Sequence, residues 1–221
     1  MAKKESYRCS ECGWLSAKWQ GQCRQCQAWG TLAEVGASAG LAKTAVRPPI
    51  QAAQPISQVR AESAQARPSG VGELDRVLGG GIVPGAVILL AGEPGVGKST
   101  LLLTVAANAA RQAKLTGAGS VLYITGEESA SQVRLRAARI DALADNLLLA
   151  AETELGAVLG QVEQANPALL IVDSVQTIAS ADVEGSAGGT SQVRAVAAAI
   201  IALAKERNIP VLLVGHVTKD G

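Results

Sequence analysis

Nine consecutive residues carry the clearest chemistry in this chain: Gly92, Glu93, Pro94, Gly95, Val96, Gly97, Lys98, Ser99 and Thr100. They fit the phosphate-loop pattern G-x-x-x-x-G-K-[ST] without a mismatch. In that pattern glycines let backbone N–H groups face phosphates, the lysine reaches the β- and γ-phosphates, and the hydroxyl ligates Mg²⁺. Lys98 and Ser99 are therefore the candidates for holding ATP and Mg²⁺. The bland alternative is a glycine-rich turn. The setting argues against it, because an apolar run (86–91) leads into the motif as a buried strand would, and a helical apolar stretch (101–106) follows. Such a helix points its positive end at the phosphates.

Four cysteines form the second constellation: Cys9-x-x-Cys12, ten residues, then Cys23-x-x-Cys26. Two such knuckles present four thiolates to a tetrahedral Zn²⁺, and a site closed by four sulfurs is structural. Redox pairs would call for a βαβ setting, which the flanking residues lack, and disulfides do not suit a cytosolic chain. Gly13 and Gly21 are placed to allow tight turns at the knuckles. All three tryptophans (Trp14, Trp19, Trp29) and Tyr7 lie in this stretch. Most are expected to build its small core, with Trp19, between Lys18 and Gln20, as the exposed exception; base stacking is the rival reading.

Carboxylates complete the set. Asp173 ends four apolar residues, 169–172, and precedes Ser174, the Walker B form, in which the acid holds a Mg²⁺-bound water. An N-cap role is compatible with that one. Glu127 and Glu128 sit just past another strand end, where a carboxylate can polarise the attacking water. One of them can instead cap the helix starting near Ser129. Spacing does not separate the two; Glu127 is preferred as the base. His216, the single histidine, lies beyond a further strand end, either as a γ-phosphate sensor or as a packed neutral ring. Residues 178–192 form a polar loop on the same face, expected to be mobile and functional, with no basic residue before Arg194.

These groups need elements to hold them. A short helix over 71–78 is stopped by Gly79, Gly80 and Gly81. Strands are expected at 86–91, 120–125, 147–150, 168–173 and 210–216, and helices after the phosphate loop and at 129–139, 154–165 and 190–207. Strands alternating with helices mean parallel pairing and right-handed crossovers, an α/β fold. The division expected is a zinc module at 1–35, a flexible linker at 36–68 rich in Ala, Gly, Ser, Gln and Pro, and an ATPase domain at 69–221.

Composition bounds the rest. The 221 residues are 48% hydrophobic but only 2% aromatic, so the core is aliphatic, as in parallel sheets. A net charge of +1 gives no global signal for nucleic acid. There is no run of 18 apolar residues and no signal-peptide core at the start, so a cytoplasmic chain that does not engage membranes is expected.

Together these residues resemble the bacterial RadA (Sms) family of RecA-like ATPases. The carriers are the Cys9/Cys12/Cys23/Cys26 finger with Gly13-Trp14 and Lys18-Trp19, the run 72–81, the phosphate loop 92–100, Gly126-Glu127-Glu128-Ser129, the run 170–177, and Gly215-His216-Val217-Thr218-Lys219. The resemblance implies a hexameric ring around single-stranded DNA with ATP between subunits. It implies DNA-stimulated hydrolysis driving branch migration of recombination intermediates, with branched DNA and a RecA-type recombinase as further partners. Residues 178–192 match the family's first DNA-facing loop, and His216 opens the second. Family members continue through a Lys-Asn-Arg-Phe-Gly motif and a Lon-protease-like domain, whereas this sequence stops at Gly221, so a fragment with an incomplete RecA core is expected. Two alternatives remain open: a clock-protein-like regulatory ATPase, and a non-catalytic nucleotide-binding module.

Overall fold

Three strands of two or three residues are all the regular structure around the cysteine knuckles. β1 (Tyr7–Cys9), β2 (Leu15–Ser16) and β3 (Leu32–Glu34) pair antiparallel in the order β2-β1-β3. The computed structural model describes residues 7–34, 53–59 and 65–216. It divides into two units between Gln58 and Val59, and this sheet belongs to the first. A module this small has one inner face. Cys9, Cys23 and Leu32 fill it, with Tyr7 and Trp14 against them.

That crowding corrects the expected core. Trp19 is exposed as anticipated (64%), but Trp29 is more so (75%). The Trp29 ring lies over Gly21, where an added Cβ would sit 3.6 Å from it. A side chain would meet the ring there at ordinary contact distance, and Gly21 does not take left-handed backbone. The turn residues are Gly13 (φ 74°) and, in the matching place of the second knuckle, Gln27 (φ 59°). Their amides donate to the carbonyls of Cys9 and Cys23, at 3.0 and 2.9 Å.

Of the stretch read as a linker, 36–52 and 60–64 lie outside the described residues. Ile56–Gln58 form a 3-10 turn. Arg67 exchanges two backbone hydrogen bonds with Ile82, at 2.9 and 2.7 Å. Gly81 lies so close beneath that an added Cβ would be 2.2 Å from the Arg67 carbonyl oxygen, which only glycine avoids.

In the second unit the aliphatic runs become β4 (Val87–Gly92), β5 (Val121–Thr125), β6 (Leu147–Ala151), β7 (Leu169–Asp173) and β8 (Val211–His216). All pair parallel, in the order β4-β8-β7-β5-β6. The helices are α1 (Gly72–Val77), α2 (Lys98–Thr116), α3 (Ala130–Arg139), α4 (Leu155–Ala165) and α5 (Thr190–Arg207). Side chains alternate across a strand. Val121, Tyr123, Leu169 and Ile171 therefore join α2 and α3 in one core, while Leu122, Ile124, Leu170 and Val172 join α4 and α5 in the other. The result is an α/β fold with helices on both sheet faces. β4 stands at the sheet edge, and its Leu89 is 58% exposed.

Candidate nucleotide site and cysteine cluster

β4 ends at Gly92 and α2 begins at Lys98. Between them Gly95 (φ 82°) and Gly97 (φ 93°) take left-handed backbone, and nothing lies within 4 Å of a Cβ added at either. They are glycines for conformation and not for space. Gly97 is the N-cap of α2 and supplies no side-chain cap, so the first-turn N–H groups are left for an anion. Lys98 is 7% exposed. Its Nζ donates to the carbonyls of Gly92 (2.9 Å) and Glu93 (2.7 Å), which hold the ammonium over the loop.

Strand order brings the other groups to this end. Gly92 stands opposite His216 in the β4–β8 pair, and Thr125 opposite Asp173 in β5–β7. The C-terminal edges of four strands thus present the phosphate loop, His216, Asp173 and the 126–128 turn together, where α/β folds bind ligands.

Asp173 is 6% exposed. Its Oδ2 accepts a 2.6 Å hydrogen bond from the Tyr123 hydroxyl. Burial, and then the negative charge of Asp173, push the Tyr123 phenol well above its usual range, so it stays a donor. The other oxygen, Oδ1, is buried with no partner among the described residues. A buried carboxylate oxygen needs a donor, and a Mg²⁺-bound water would supply one. With the Ser99 hydroxyl, the donor set is all oxygen and suits a hard cation.

The two adjacent glutamates face different partners. Glu128 pairs with Arg136 one helix along, and its amide donates to Thr125 Oγ1 at 3.2 Å. Glu127 Oε1 accepts from Ser174 Oγ at 2.8 Å and lies 2.9 Å from His216 Nε2. In the tautomer protonated at Nε2, His216 donates to it. Oε2 of Glu127 has no protein donor among the described residues and is left for a water. Neither glutamate side chain is the hydrogen-bonding cap of α3: Ser129 is the N-cap and Gln132 completes a capping box.

His216 touches Glu127 and not only apolar neighbours. Its Nδ1 is buried without a partner among the described residues, and its carbonyl accepts from Gln176 Nε2 at 3.0 Å. The 178–192 loop is pinned at its base by a buried side chain. Gln192 Oε1 accepts from the Ser180 amide, and its Nε2 donates to the carbonyls of Ser180, Val183 and Gly185.

In the first unit the four cysteine sulfurs all lie within 4.8 Å of one another. Cys9–Cys26 and Cys12–Cys23 are 3.7 and 3.6 Å apart. A tetrahedron with Zn–S bonds of about 2.3 Å has edges of about 3.8 Å, so the cluster is a fit for Zn²⁺. Disulfides are absent, all four cysteines being free. Thr31 Oγ1, 3.2 Å from Cys9 Sγ, and the Cys12 amide hold the Cys9 thiol down at about 6, whereas burial and the neighbouring sulfurs push Cys12 and Cys26 up.

Sequence reasoning did not find Tyr123, Ser174, Arg136 or Gln192 as parts of these sites. Ser174 and Gln192 lie inside stretches that the sequence does single out, and Tyr123 carries a signal as one of two tyrosines in the chain, set in an otherwise aliphatic strand.

A phosphate loop, a Walker B acid and a carboxylate at one sheet edge define a P-loop ATPase domain, here preceded by a four-cysteine metal-binding module. Residues 53–221 match the AAA domain family, and residues 7–34 match the rubredoxin metal binding domain family. The chain belongs to the bacterial RadA family of AAA-domain proteins. It is 51% identical to the DNA repair protein RadA of Mycobacterium tuberculosis, over 99% of this chain and 45% of that protein. The RadA of Mycolicibacterium smegmatis is 47% identical over 99% of this chain and 48% of its own length. For Escherichia coli RadA the figures are 41%, 100% and 48%. The chain spans about half the length of these relatives. Among the described residues no helix is long and apolar enough to cross a membrane.

Proposed function

We propose that this chain is the zinc module, linker and ATPase domain (1–35, 36–68 and 69–221) of a cytoplasmic DNA repair protein. It hydrolyses ATP in response to single-stranded DNA and drives branch migration of recombination intermediates. The observation that carries the reading is the C-terminal sheet edge, which brings together the phosphate loop, an Asp173 Oδ1 with no partner among the described residues, and the doubly held Glu127. Residues 92–100 cradle the phosphates, with Lys98 on the β- and γ-groups. Ser99 and, through water, Asp173 would hold Mg²⁺, which would neutralise charge on the phosphate oxygens. Glu127 accepts the proton of the water that attacks the γ-phosphorus as the bond to ADP breaks. Ser174 and His216 keep that carboxylate oriented, and His216 reports the γ-phosphate to the segment beyond it. Cys9, Cys12, Cys23 and Cys26 hold a structural Zn²⁺.

The RadA names of the relatives support the DNA repair assignment. Family resemblance supports a hexameric ring, branched DNA and a RecA-type recombinase as partners. Residues 178–192 are the proposed DNA-coupling loop, fixed to α5 by Gln192.

The test is phosphate release from ATP with and without single-stranded DNA. Stimulation by DNA is expected, and a rate indifferent to DNA in the full-length protein overturns the DNA-motor reading. Lys98→Ala is expected to lower ATP hydrolysis on the order of 100-fold, because the lysine meets charge that grows in the transition state. Undiminished turnover in that variant would remove the phosphate-loop assignment.

A further inference from the structure

Tyr123 and Asp173 sit on neighbouring strands two register positions apart. Tyr123 stands opposite Ile171, and Asp173 opposite Thr125, so the pair is a diagonal contact on one sheet face. The phenol reaches across and donates to Oδ2 at 2.6 Å. Tyr123 is 1% exposed, so water does not compete for that bond. The remaining carboxylate oxygen is buried and partnerless among the described residues.

We propose that Tyr123 is a positioning residue for the Mg²⁺ end of the site: its hydroxyl fixes the Asp173 carboxylate so that Oδ1 alone is offered to the metal's water. This rests on the ATP reading above. A phenylalanine of the same shape would leave both oxygens unpartnered and the carboxylate free to turn about its terminal torsion, which is soft. Orientation by hydrogen bonds in the outer shell is a general determinant of metal affinity. Position 123 is well placed for it.

The experiment is binding of a fluorescent ATP analogue to the full chain, in excess Mg²⁺ and in EDTA. The ratio of the two dissociation constants reads the metal's share of affinity. Tyr123→Phe is expected to shrink that ratio about tenfold, the scale seen when outer-shell partners of metal ligands are removed. Affinity in EDTA is expected to stay unchanged, because the phosphate loop is untouched. In an Asp173→Asn background the added Tyr123→Phe change is expected to do nothing further to the ratio. An unchanged ratio in Tyr123→Phe, or an equal loss in both conditions, overturns the positioning role. Further loss in the Asp173→Asn background overturns it too. Failure of the unaltered chain to bind the analogue in either condition instead removes the nucleotide reading, and the role of Tyr123 with it.

Discussion

Glu127→Gln is expected to lower the turnover of ATP by about 100-fold or more while leaving ATP binding intact. The amide keeps the size of the carboxylate and can still accept from Ser174, but it cannot take a proton from the attacking water. Glu128→Gln is the control. Its side chain is tied to Arg136, and the two are only partly exposed, so its loss should lower the unfolding temperature and leave most of the turnover. Single-turnover hydrolysis and nucleotide binding, measured on both variants, separate the two. If Glu128→Gln stopped hydrolysis and Glu127→Gln did not, the assignment of the base would be reversed.

Cys23→Ser is expected to release the metal and unfold the first unit while the second stays folded. A module of some 30 residues gathers only about 3–5 kcal/mol from its own core, whereas structural Zn²⁺ sites contribute about 10–16 kcal/mol. Cys23 is also one of the three buried residues around which that core is built, so the change strikes metal and apolar contacts together. The chain is convenient for the measurement because Trp14, Trp19 and Trp29 all lie in this module. Tryptophan emission therefore reports its unfolding without interference from the ATPase domain. Elemental analysis gives the zinc content. One zinc retained per chain in Cys23→Ser, with unaltered emission, would refute a four-thiolate site.

Much of this was legible in the residues alone, and for physical reasons. The phosphate loop and the cysteine knuckles are local devices, each complete within a few residues, so spacing displays them. The aliphatic runs at 121–125 and 169–173 read as buried strands because both faces are covered. What escaped was non-local. Tyr123 meets Asp173 only because β7 lies beside β5, a neighbour relation that no window of sequence contains. Glu127 and Glu128 are adjacent and chemically equal; Arg136 and Ser174, eight and 47 residues away, are what send them to different tasks. Trp29 lies outside the small core because two cysteines and Leu32 already fill the module's inner face.

The edge position of β4 has a mechanical meaning. The strand that bears the phosphate loop is bonded sideways to β8 alone among the described strands, through six residue pairs from Val87–Val211 to Gly92–His216. The last residue of β8 is the one that touches Glu127. One path from loop to carboxylate thus runs in series through this ladder and the His216 side chain. Strands in a ladder do not slide by fractions, since one step of slip turns every side chain to the opposite face. A displacement of the phosphate cradle along this path reaches Glu127 through β8 and the His216 ring. The ladder works as a stiff rod with one swivel at its tip, and the swivel is an imidazole.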